Sequence, residues 1–437
     1  MLNRQLYQGI RLAIIASNFL FPITVFAEED KALPAPEAAV QNFADTITLI
    51  NHYYVKPVKN QGLFNEAIQG MLTGLDPYSG IIDKKIMSSQ DNIAGNNLAD
   101  VGLEVTMEKG ALKVITPKLD TPAFKAGIHP GDYIVKLNSK SSQGLSLENA
   151  MQLLRGDEGS TVQLLVLRKG ATKPLVFKLL REKAPTNSIK GKLLDKQLAY
   201  IRISQFQKTT GKDMNHAIKE LQQQAGGTLK GLILDLRYNP GGMLDSAIEV
   251  ADTFIDNKSK NRNMLIMHTE GRIPGLKYTA MATPGDILHK APIVVLINNG
   301  SASATEVVAG ALKDNQRAIT VGVKSFGKGS VQTLVPLDEK NDIRITTGFY
   351  FTPKGMSIQD KGITPDIAVE ELSIPGNNQA NKSRGLDEVD LTRQLANKKS
   401  AMELAQEQQA HDTDKLLHED YQLYTALTVL KGAVSNH

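Results

Sequence analysis

The segment at 322–330, GVKSFGKGS, places one lysine, Lys328, among glycines and can be interpreted in three ways. Counted from Gly322 it is a GxxxxGK phosphate-binding loop, and counted from Ser325 it is the SxxK pair of penicillin-binding enzymes. In the third interpretation, Lys328 is the general base for a serine elsewhere in the chain. The three hypotheses predict an NTPase, an acyl-transfer enzyme with a helical SxxK turn, and a hydrolase with a Ser-Lys pair.

The residues around Lys328 disfavour the first two hypotheses. A phosphate-binding loop needs Ser or Thr directly after the lysine and then a helix, whereas Gly329 and the alternating, β-branched segment SVQTLVPL follow here. An SxxK pair must share a helical turn, which Gly327 and Gly329 disfavour, and the companion motifs SDN and KTG are absent from the sequence. Lys328 therefore lies on a glycine-rich turn before a predicted strand, and its partner must come from another segment.

Two serines, Ser301 and Ser303, follow the strand-like segment PIVVLIN in NNGSASATEVVAGAL. A strand, a glycine turn and an alanine-rich helix in this order expose the turn residues, and a helix N-terminus stabilises a developing oxyanion. Ser303 with Glu306 three residues later is equally well explained as a capping box that has no chemical role. The residue types alone leave both interpretations open.

A second glycine-containing loop, GLILDLRYNPGG, follows a predicted strand that ends at Arg237. Gly241 and Gly242 could point a backbone amide into a cleft as an oxyanion donor, but a plain tight turn is the commoner use of such a pair. None of the eight histidines lies in the three loops, so a histidine base is poorly supported.

The segments around these loops differ in their periodicity. We predict a helical N-terminal segment at 28–95, and short β-rich runs with one helix, LSLENAMQLLRG, at 96–182. Three strand–helix steps followed by further strands predict an α/β core at 183–372. A polar linker and one amphipathic helix, Leu416 to Leu430, complete the chain at 373–437. The predicted fold class is a multi-domain α/β protein.

Composition narrows the function further. The segment at 1–27 has Arg4 and Arg11, no acidic residue, an apolar stretch and VFA at its end, which predicts a cleavable signal peptide and export to the periplasm. The 437 residues include no cysteine, which excludes disulfides, thiol nucleophiles and cysteine metal sites. Cleavage of this segment would remove both arginines and lower the net charge from +4 to +2. The rest of the sequence has no run of basic residues that would favour nucleic-acid binding. We expect a processed protein without a membrane span, metal or cofactor.

The three loops together resemble the catalytic motifs of the C-terminal processing peptidases, also called tail-specific proteases. The resemblance is carried by DLRYNPGG, NNGSASATEVVAGALKDNQRA and SFGKGSVQT, in this order. VGLEV and DTPAFKAGIHPGDYIVKLN are similar to the PDZ domain of these enzymes. The resemblance runs from about Ala44 to Val369. It implies an α/β serine-protease core with an inserted β-rich PDZ domain and helical N- and C-terminal segments.

The resemblance also implies roles for individual residues. Ser303 would be the nucleophile and Lys328 the general base, oriented by Gln332. A lysine acts as a base only when its amine is neutral, which requires desolvation in an apolar pocket. Asp314 matches an acidic position sometimes assigned to a charge relay, but a Ser-Lys pair does not need it, and a predicted helix end is more typical of a structural role.

The resemblance implies two further binding elements. The oxyanion hole would combine the amide of Ala304 with an amide from Gly241 or Gly242, and the sequence does not distinguish between these glycines. In the PDZ-like region, a peptide C-terminus would be received by the amides of one loop, Val101, Gly102 and Leu103. The alternative is that this region binds only the neighbouring core and gates its cleft.

The expected partners follow from the same resemblance. Substrates would be proteins or peptides of the cell envelope with exposed C-termini, selected with or without an adaptor protein. Amphipathic helices at both ends of the chain favour a homo-oligomer. The competing hypothesis is a PDZ adaptor on an inactive core, which would bind peptides without cleaving them.

Overall fold

A computed structural model describes residues 13–15, 36–84, 98–108, 110–183, 187–258, 264–372 and 416–436. Apart from 13–15, the predicted signal peptide lies outside the described residues, and so does the predicted linker at 373–415. Among the residues that are described, no helix is long and apolar enough to cross a bilayer.

The N-terminal region contains two helices, α1 (Glu37–Tyr53) and α2 (Asn60–Thr73), where the apolar residues recur at helical spacing. A turn follows in which the Asp76 carboxylate accepts hydrogen bonds from the N–H groups of Tyr78 and Ser79, at 2.7 and 2.8 Å. This turn directs the chain into a four-residue strand, β2, that the sequence pattern did not predict.

Residues 98–182 contain an antiparallel sheet, as the short β-rich runs predicted, and two helices, of which only the one in LSLENAMQLLRG was predicted. The strand order is β10-β9-β6-β5-β4, with β7 paired to β6, so that β4 is an edge strand. Helix α4 begins where the Ser146 hydroxyl accepts a hydrogen bond from the Asn149 N–H (3.1 Å), and it contacts β4. The elements of these first two regions are β2 (Gly80–Asp83), β3 (Leu98–Ala99), β4 (Leu103–Glu108), β5 (Ala111–Pro117), α3 (Pro122–Lys125), β6 (Tyr133–Leu137), β7 (Lys140–Ser141), α4 (Leu147–Leu154), β8 (Gly156–Asp157), β9 (Thr161–Leu167) and β10 (Leu175–Leu180).

The remaining elements form two further sheets and the helices that cover them. They are β11 (Ile189–Asp195), β12 (Leu198–Ile203), α5 (Thr210–Gln224), β13 (Gly231–Asp235), α6 (Leu244–Asp252), β14 (Leu265–Glu270), a 3₁₀ turn (Pro274–Leu276), β15 (Thr279–Met281), β16 (Ile293–Ile297), α7 (Ala304–Asp314), β17 (Ile319–Gly322), β18 (Ser330–Pro336), β19 (Asn341–Phe351), β20 (Ile367–Ala368) and α8 (Tyr421–Ser435).

The core sheet has the order β11-β12-β13-β16-β17-β20 and is parallel from β12 to β20. Its central strands are apolar on both faces: Leu232 and Leu234 pack towards α5, α6 and α7, whereas Ile233 packs towards α8. Burial on both faces explains the continuous apolar runs in the sequence. Because the strands are parallel, the loops after β13 and β16 meet at one edge of the sheet, where open α/β sheets form their sites.

The second core sheet is antiparallel, in the order β1-β18-β19-β14-β15, and β2 pairs with β19. Strand β18 confirms the prediction that SVQTLVPL follows Lys328 as a strand. Strand β1 (Ala13–Ile15), within the segment predicted as a signal peptide, pairs antiparallel with β18 and places Ile15 opposite Gln332.

The C-terminal helix begins later than the predicted start at Leu416. Residues 416–419 are helical, but Asp420 interrupts the helix and caps the next one, because its Oδ1 accepts a hydrogen bond from the Leu423 N–H (3.0 Å). Helix α8 therefore runs from Tyr421 to Ser435, and its apolar face is buried against the core sheet.

Candidate active site

Ser303 lies on the turn that joins β16 to α7, at the N-terminus of the helix. Its backbone has φ 57° and ψ −121°, a conformation that a residue with a side chain adopts at a cost of about 1–3 kcal/mol. Ser301 has another environment: it is fully buried, and its hydroxyl accepts from the Asn298 N–H (3.0 Å) and donates to the Leu236 carbonyl (2.9 Å). Ser301 thus ties two strand ends together, which leaves Ser303 as the candidate nucleophile of this turn.

Glu306 joins the nucleophile turn to the lysine turn. Its side chain is fully buried, and its Oε2 accepts hydrogen bonds from the N–H groups of Ser303 (2.8 Å) and Lys328 (2.9 Å). Its Oε1 accepts from the Gly327 N–H (2.7 Å) and the Ser325 hydroxyl (2.5 Å). Burial raises the pKa of Glu306 to about 7, against the opposing effect of these hydrogen bonds. The Glu306 carboxylate therefore caps α7, as predicted, and also holds the turn that carries Lys328.

Ser325, the serine of the rejected SxxK interpretation, is a structural residue. Besides donating to Glu306, its hydroxyl accepts from the Ile363 N–H at 2.6 Å, so its proton is already committed to a buried carboxylate. The segment from Ser325 to Lys328 is not helical. The structure thus agrees with the rejection of a self-contained SxxK pair.

The side chain of Lys328 lies under an aromatic ring from the N-terminal region. Its Nζ is 5.4 Å from the centroid of the Tyr78 ring, a cation–π distance. Tyr78 is buried, and its carbonyl accepts a hydrogen bond from Arg344 Nε (2.8 Å). Burial, and next the negative charge of Asp360, raise the pKa of Tyr78 to about 12, so its hydroxyl stays neutral. Tyr78 therefore covers the predicted base.

Among the described residues, no hydrogen bond joins Gln332 to Lys328. Gln332 Nε2 donates to the hydroxyls of Ser330 (2.7 Å) and Thr346 (3.5 Å), and Ser330 and Gln332 lie on one face of the strand. Within the described parts of the chain, Lys328 Nζ makes no hydrogen bond to Ser303 or to Gln332. The predicted catalytic residues are therefore neighbours on joined turns, but their side chains are not hydrogen-bonded to one another.

The loop at 239–242 packs directly on the nucleophile turn. A Cβ atom on Gly241 would lie 3.0 Å from both the Ser303 Cβ and the Ala304 nitrogen, so no side chain fits there. The Gly241 N–H donates to Asn239 Oδ1 (2.9 Å). The amides of Gly242 and Ala304 make no hydrogen bond to any residue that the structure describes. Two unpaired N–H groups therefore flank Ser303, and the geometry favours Gly242 over Gly241 as the second oxyanion donor.

The domain at 98–182 contacts the catalytic loops. The Phe124 ring packs edge-on against Tyr238 at 5.2 Å between centroids, and Lys113 Nζ lies 5.8 Å from the centroid of the Phe326 ring. Between this domain, the N-terminal turn and the core lies a cleft of about 720 Å³. The residues lining it include Tyr78, Met107, Lys113, Asn299, Phe326 and Asp360.

The loop predicted to bind a peptide carboxylate lies at the start of the edge strand β4, beside α4. Val101 and Leu103 are buried, and Gly102 has a positive φ of 78° with no room for a Cβ atom, which would lie 2.1 Å from the Thr121 Cβ. The Gly102 N–H donates to the carboxylate of Asp100 at 2.7 Å. An internal carboxylate therefore occupies one of the three predicted donors.

Asp314 lies away from these loops. It is the last residue of α7, so that at 1.5 Å per residue it is about 15 Å from Ala304 at the other end of the helix. Its Oδ2 accepts a hydrogen bond from the Lys354 N–H at 3.0 Å. Its position supports the structural interpretation of this residue. No group of three His, Asp or Glu residues in the described part of the chain is arranged to hold a metal ion.

The sequence did not indicate that Tyr78 belongs to the site. It also did not indicate that the Glu306 carboxylate bonds the turn that carries Lys328. An Asp-Pro-Tyr-Ser turn is a local signal for a chain reversal, but nothing in it points to Lys328, 250 residues later. Glu306 gives a strong capping signal that conceals its second role.

A serine on a strained strand-to-helix turn, two free amides beside it and a PDZ domain against the site define a serine-type peptidase. Residues 197–369 match peptidase family S41, residues 99–179 match the PDZ domain, and residues 16–86 match the activating protease CtpB N-terminal domain. The chain belongs to the C-terminal processing proteases of this family, which confirms the resemblance and the predicted fold class.

Individual relatives show how far the likeness extends. The chain is 43% identical over 331 residues to a carboxy-terminal-processing protease of Bartonella bacilliformis, covering 75% of this chain and 74% of the relative. It is 35% identical over 351 residues to carboxy-terminal processing protease CtpB of Bacillus subtilis, covering 79% and 69%. The solved structure of a photosystem II D1 C-terminal processing protease superposes with a TM-score of 0.64 at 28% identity, covering 75% and 86%.

Proposed function

We propose that this chain is an endopeptidase with a Ser303–Lys328 pair that cleaves envelope proteins after recognising their C-terminal tails. One observation carries the proposal: the strained Ser303 lies between the free amides of Ala304 and Gly242, and Glu306 joins its turn to that of Lys328. This arrangement provides a nucleophile, an oxyanion hole and a nearby base, as acyl transfer requires.

In the first half of the proposed reaction, Ser303 Oγ attacks the carbonyl carbon of the scissile bond while its proton passes to Lys328 Nζ. The oxyanion of the tetrahedral intermediate accepts hydrogen bonds from the N–H groups of Ala304 and Gly242. When the C–N bond breaks, the Lys328 ammonium returns the proton to the leaving amine, and an acyl ester remains on Ser303. In the second half, Lys328 Nζ takes a proton from water as the water oxygen attacks the ester carbonyl. When the C–O bond to Ser303 breaks, the Lys328 ammonium returns that proton to Ser303 Oγ, and the carboxylic acid product leaves.

The lysine side chain must turn towards Ser303 before the first step. Its amine lies under the Tyr78 ring, and four rotatable bonds allow it to leave that position without moving the turn that carries it. Catalytic hydrogen bonds in substrate-free enzymes often form only when substrate is bound. Gln332, on the strand that follows Lys328, would then exchange its bond to Ser330 for one to the lysine and hold it in the productive position.

Tail recognition is proposed for the edge strand β4. A peptide would add to β4 as a further strand, with its carboxylate at Val101, Gly102 and Leu103, where it would displace the Asp100 carboxylate from Gly102. The contacts of Phe124 and Lys113 with the catalytic loops support coupling between tail binding and cleavage. The proposed location is the periplasm, reached through the signal peptide at 1–27, and an adaptor protein could supply further selectivity.

Exposed apolar side chains of α1 support the proposal of a homo-oligomer. Phe43, Leu49 and Tyr53 are 42%, 56% and 75% exposed, although they belong to a helix with an amphipathic sequence. A second copy of the chain would bury them. No cofactor or metal enters the proposed reaction.

Cleavage of an unstructured polypeptide with a free apolar C-terminus tests the proposal. Ser303→Ala and Lys328→Ala should each reduce kcat by about 10³-fold or more while the circular dichroism spectrum is unchanged. The matched control is Lys324→Ala, because Lys324 is an exposed lysine on the same turn and should be dispensable. Cleavage by Ser303→Ala at the wild-type rate would refute the proposal. Peptide binding by the wild-type chain without any turnover would favour the PDZ adaptor instead.

A further inference from the structure

Arg237 is a buried cation at the base of the proposed oxyanion loop. It is 4% exposed and lies five residues before Gly242, just after β13 ends at Asp235. Its Nε and one terminal nitrogen donate to the two oxygens of Asp235, at 3.0 and 2.7 Å. A buried guanidinium with one carboxylate still has donors to satisfy.

Those remaining donors are satisfied by the distant C-terminal helix. Both terminal nitrogens of Arg237 donate to the two carboxylate oxygens of Asp420, at 2.8 and 2.7 Å, which is a bidentate pair. One of them also donates to Gln422 Oε1 (3.2 Å), whose Nε2 donates to the Val369 carbonyl (2.8 Å). Arg237 is therefore held between its own strand and the first turn of α8.

Helix α8 itself is docked by apolar contacts that do not involve Arg237. Leu423, Leu427 and Leu430 are at most 5% exposed and pack on the core sheet. The helix runs opposite to β13, because Leu430 lies against Gly231 at the start of that strand while Asp420 lies at its end. We call the hydrogen bonds from Arg237 to Asp420 and Gln422 the clamp. The packing of α8 on the sheet and the clamp can therefore be perturbed separately.

The clamp is next to the residues that aim the free amide of Gly242. Tyr238 follows Arg237 with a positive φ of 56°, and its N–H donates to Asn298 Oδ1 at 2.9 Å. The Asn239 carbonyl then accepts from the hydroxyl of Thr305 (3.0 Å), on α7. A displacement of Arg237 is passed directly to this strained turn, since only Pro240 and Gly241 separate the turn from Gly242.

We propose that Asp420 is a positioning residue for the oxyanion loop, so that α8 belongs to the catalytic unit. The inference rests on the proposed function, because it assigns Gly242 as an oxyanion donor. Misplacing one donor without deleting it should lower kcat by about tenfold, less than the 10²–10³ typical of removing a donor. KM should stay within about twofold, because the carbonyl oxygen gains its charge only in the transition state.

Asp420→Asn is the informative variant. Asparagine caps a helix as well as aspartate does, so the hydrogen bond to the Leu423 N–H is kept, but its NH₂ group faces a terminal nitrogen of Arg237. Asp420→Ser is the second variant: it also caps, but its hydroxyl is too short for the bidentate pair. The matched control is Lys431→Gln, which removes another ion pair of the same helix, to Asp195 at 3.9 Å, far from the loop.

Three measurements on the full chain decide the outcome: kcat and KM with the unstructured polypeptide, the affinity for a peptide boronate that forms a tetrahedral adduct with Ser303, and Tm. The expected result is a loss in kcat/KM matched by an equal loss in boronate affinity for both Asp420 variants, and no change for Lys431→Gln. Wild-type kcat in either Asp420 variant, or an unchanged boronate affinity, would overturn the inference.

Loss of helix docking is the competing explanation, and Leu427→Ala controls for it. This substitution weakens packing of α8 without touching Arg237. Equal losses of kcat in Leu427→Ala and Asp420→Asn at equal Tm would overturn the positioning role, whereas a larger loss in Asp420→Asn supports it. The proposed function is tested separately: if Ser303→Ala is inactive but Asp420→Asn has wild-type kcat, only the positioning role fails.

Discussion

Replacing Glu306 by glutamine should separate the stability of this fold from its activity. All four groups around the carboxylate are donors, three backbone N–H groups and the Ser325 hydroxyl, so a carboxamide NH₂ would face two donors and lose two hydrogen bonds. Two hydrogen bonds to a charged group are worth about 3–6 kcal/mol. The net cost of the buried charge, after these hydrogen bonds have offset part of it, is about 3 kcal/mol for a pKa raised from 4.5 to about 7. Glutamine removes that charge, so above pH 7 the relief of the buried charge and the loss of hydrogen bonds oppose each other.

The effect on stability depends on pH with a defined sign. Burial raises the pKa of Glu306 in the folded protein to about 7, above its unfolded value of 4.5, so the folded state binds the proton more tightly between these values. The stabilisation that protonated Glu306 gives is complete below pH 4.5 and is lost as the pH rises through 7. Glutamine does not titrate, so the variant should gain about 3 kcal/mol relative to wild type between pH 4.5 and pH 8.

The activity of Glu306→Gln should respond differently, because the turns that carry Ser303 and Lys328 lose the carboxylate that bonds both of them. We expect kcat of Glu306→Gln to fall by about 10²-fold at pH 8, as for other losses of active-site preorganisation. Urea unfolding at pH 5 and pH 8 and steady-state cleavage measure both quantities, with Glu339→Gln as a control on an exposed glutamate. A kcat within threefold of wild type, or a stability difference that does not change with pH, would refute the role assigned to Glu306.

Three further predictions concern the surroundings of the site. Tyr78→Phe keeps the ring that covers Lys328 and should retain most of kcat/KM, whereas Tyr78→Leu should lose about tenfold, because a smaller side chain shields the amine less from water and a lysine base needs desolvation; equal losses would show that the hydroxyl, not the ring, matters. Gly242→Ala places a Cβ 2.2 Å from the Phe206 carbonyl oxygen at φ 135°, so both Tm and kcat should fall, and an unchanged Tm would contradict the crowding. Asp314→Asn should leave kcat within about twofold in the same cleavage assay, since the Asp314 carboxylate bonds the Lys354 N–H and lies at the far end of α7 from Ser303; a large loss would restore a charge-relay role.

The α/β core could be predicted because its signals are local. PIVVLIN and GLILDLR are uninterrupted apolar runs bounded by glycine turns, and each became a fully buried strand. Strand β2 was missed for the opposite reason: it has four residues, and its partner β19 lies about 260 residues away. Hydrophobic periodicity shows which residues are buried but not which distant strand buries them.

The candidate site, like the sheet pairing, could be predicted only in part from the sequence. The strand–turn–helix pattern located the nucleophile turn, but the choice between Ser301 and Ser303 required the backbone angles and the partners of each hydroxyl. The choice between the two glycines likewise depended on the hydrogen bond that occupies the Gly241 amide. The first decision depends on a hydrogen bond between residues 65 apart, and the second on a side-chain bond within one loop. Hydrophobic periodicity records neither.

The backbone of Ser303 opposes selection for stability. A glycine would adopt φ 57° and ψ −121° without strain, so Ser303→Gly should be more stable than wild type by about 1–2 kcal/mol although it cannot form an acyl ester. The turn would therefore be more stable without its hydroxyl group, and the chemistry proposed for Ser303, not the stability of the turn, accounts for a serine at this position.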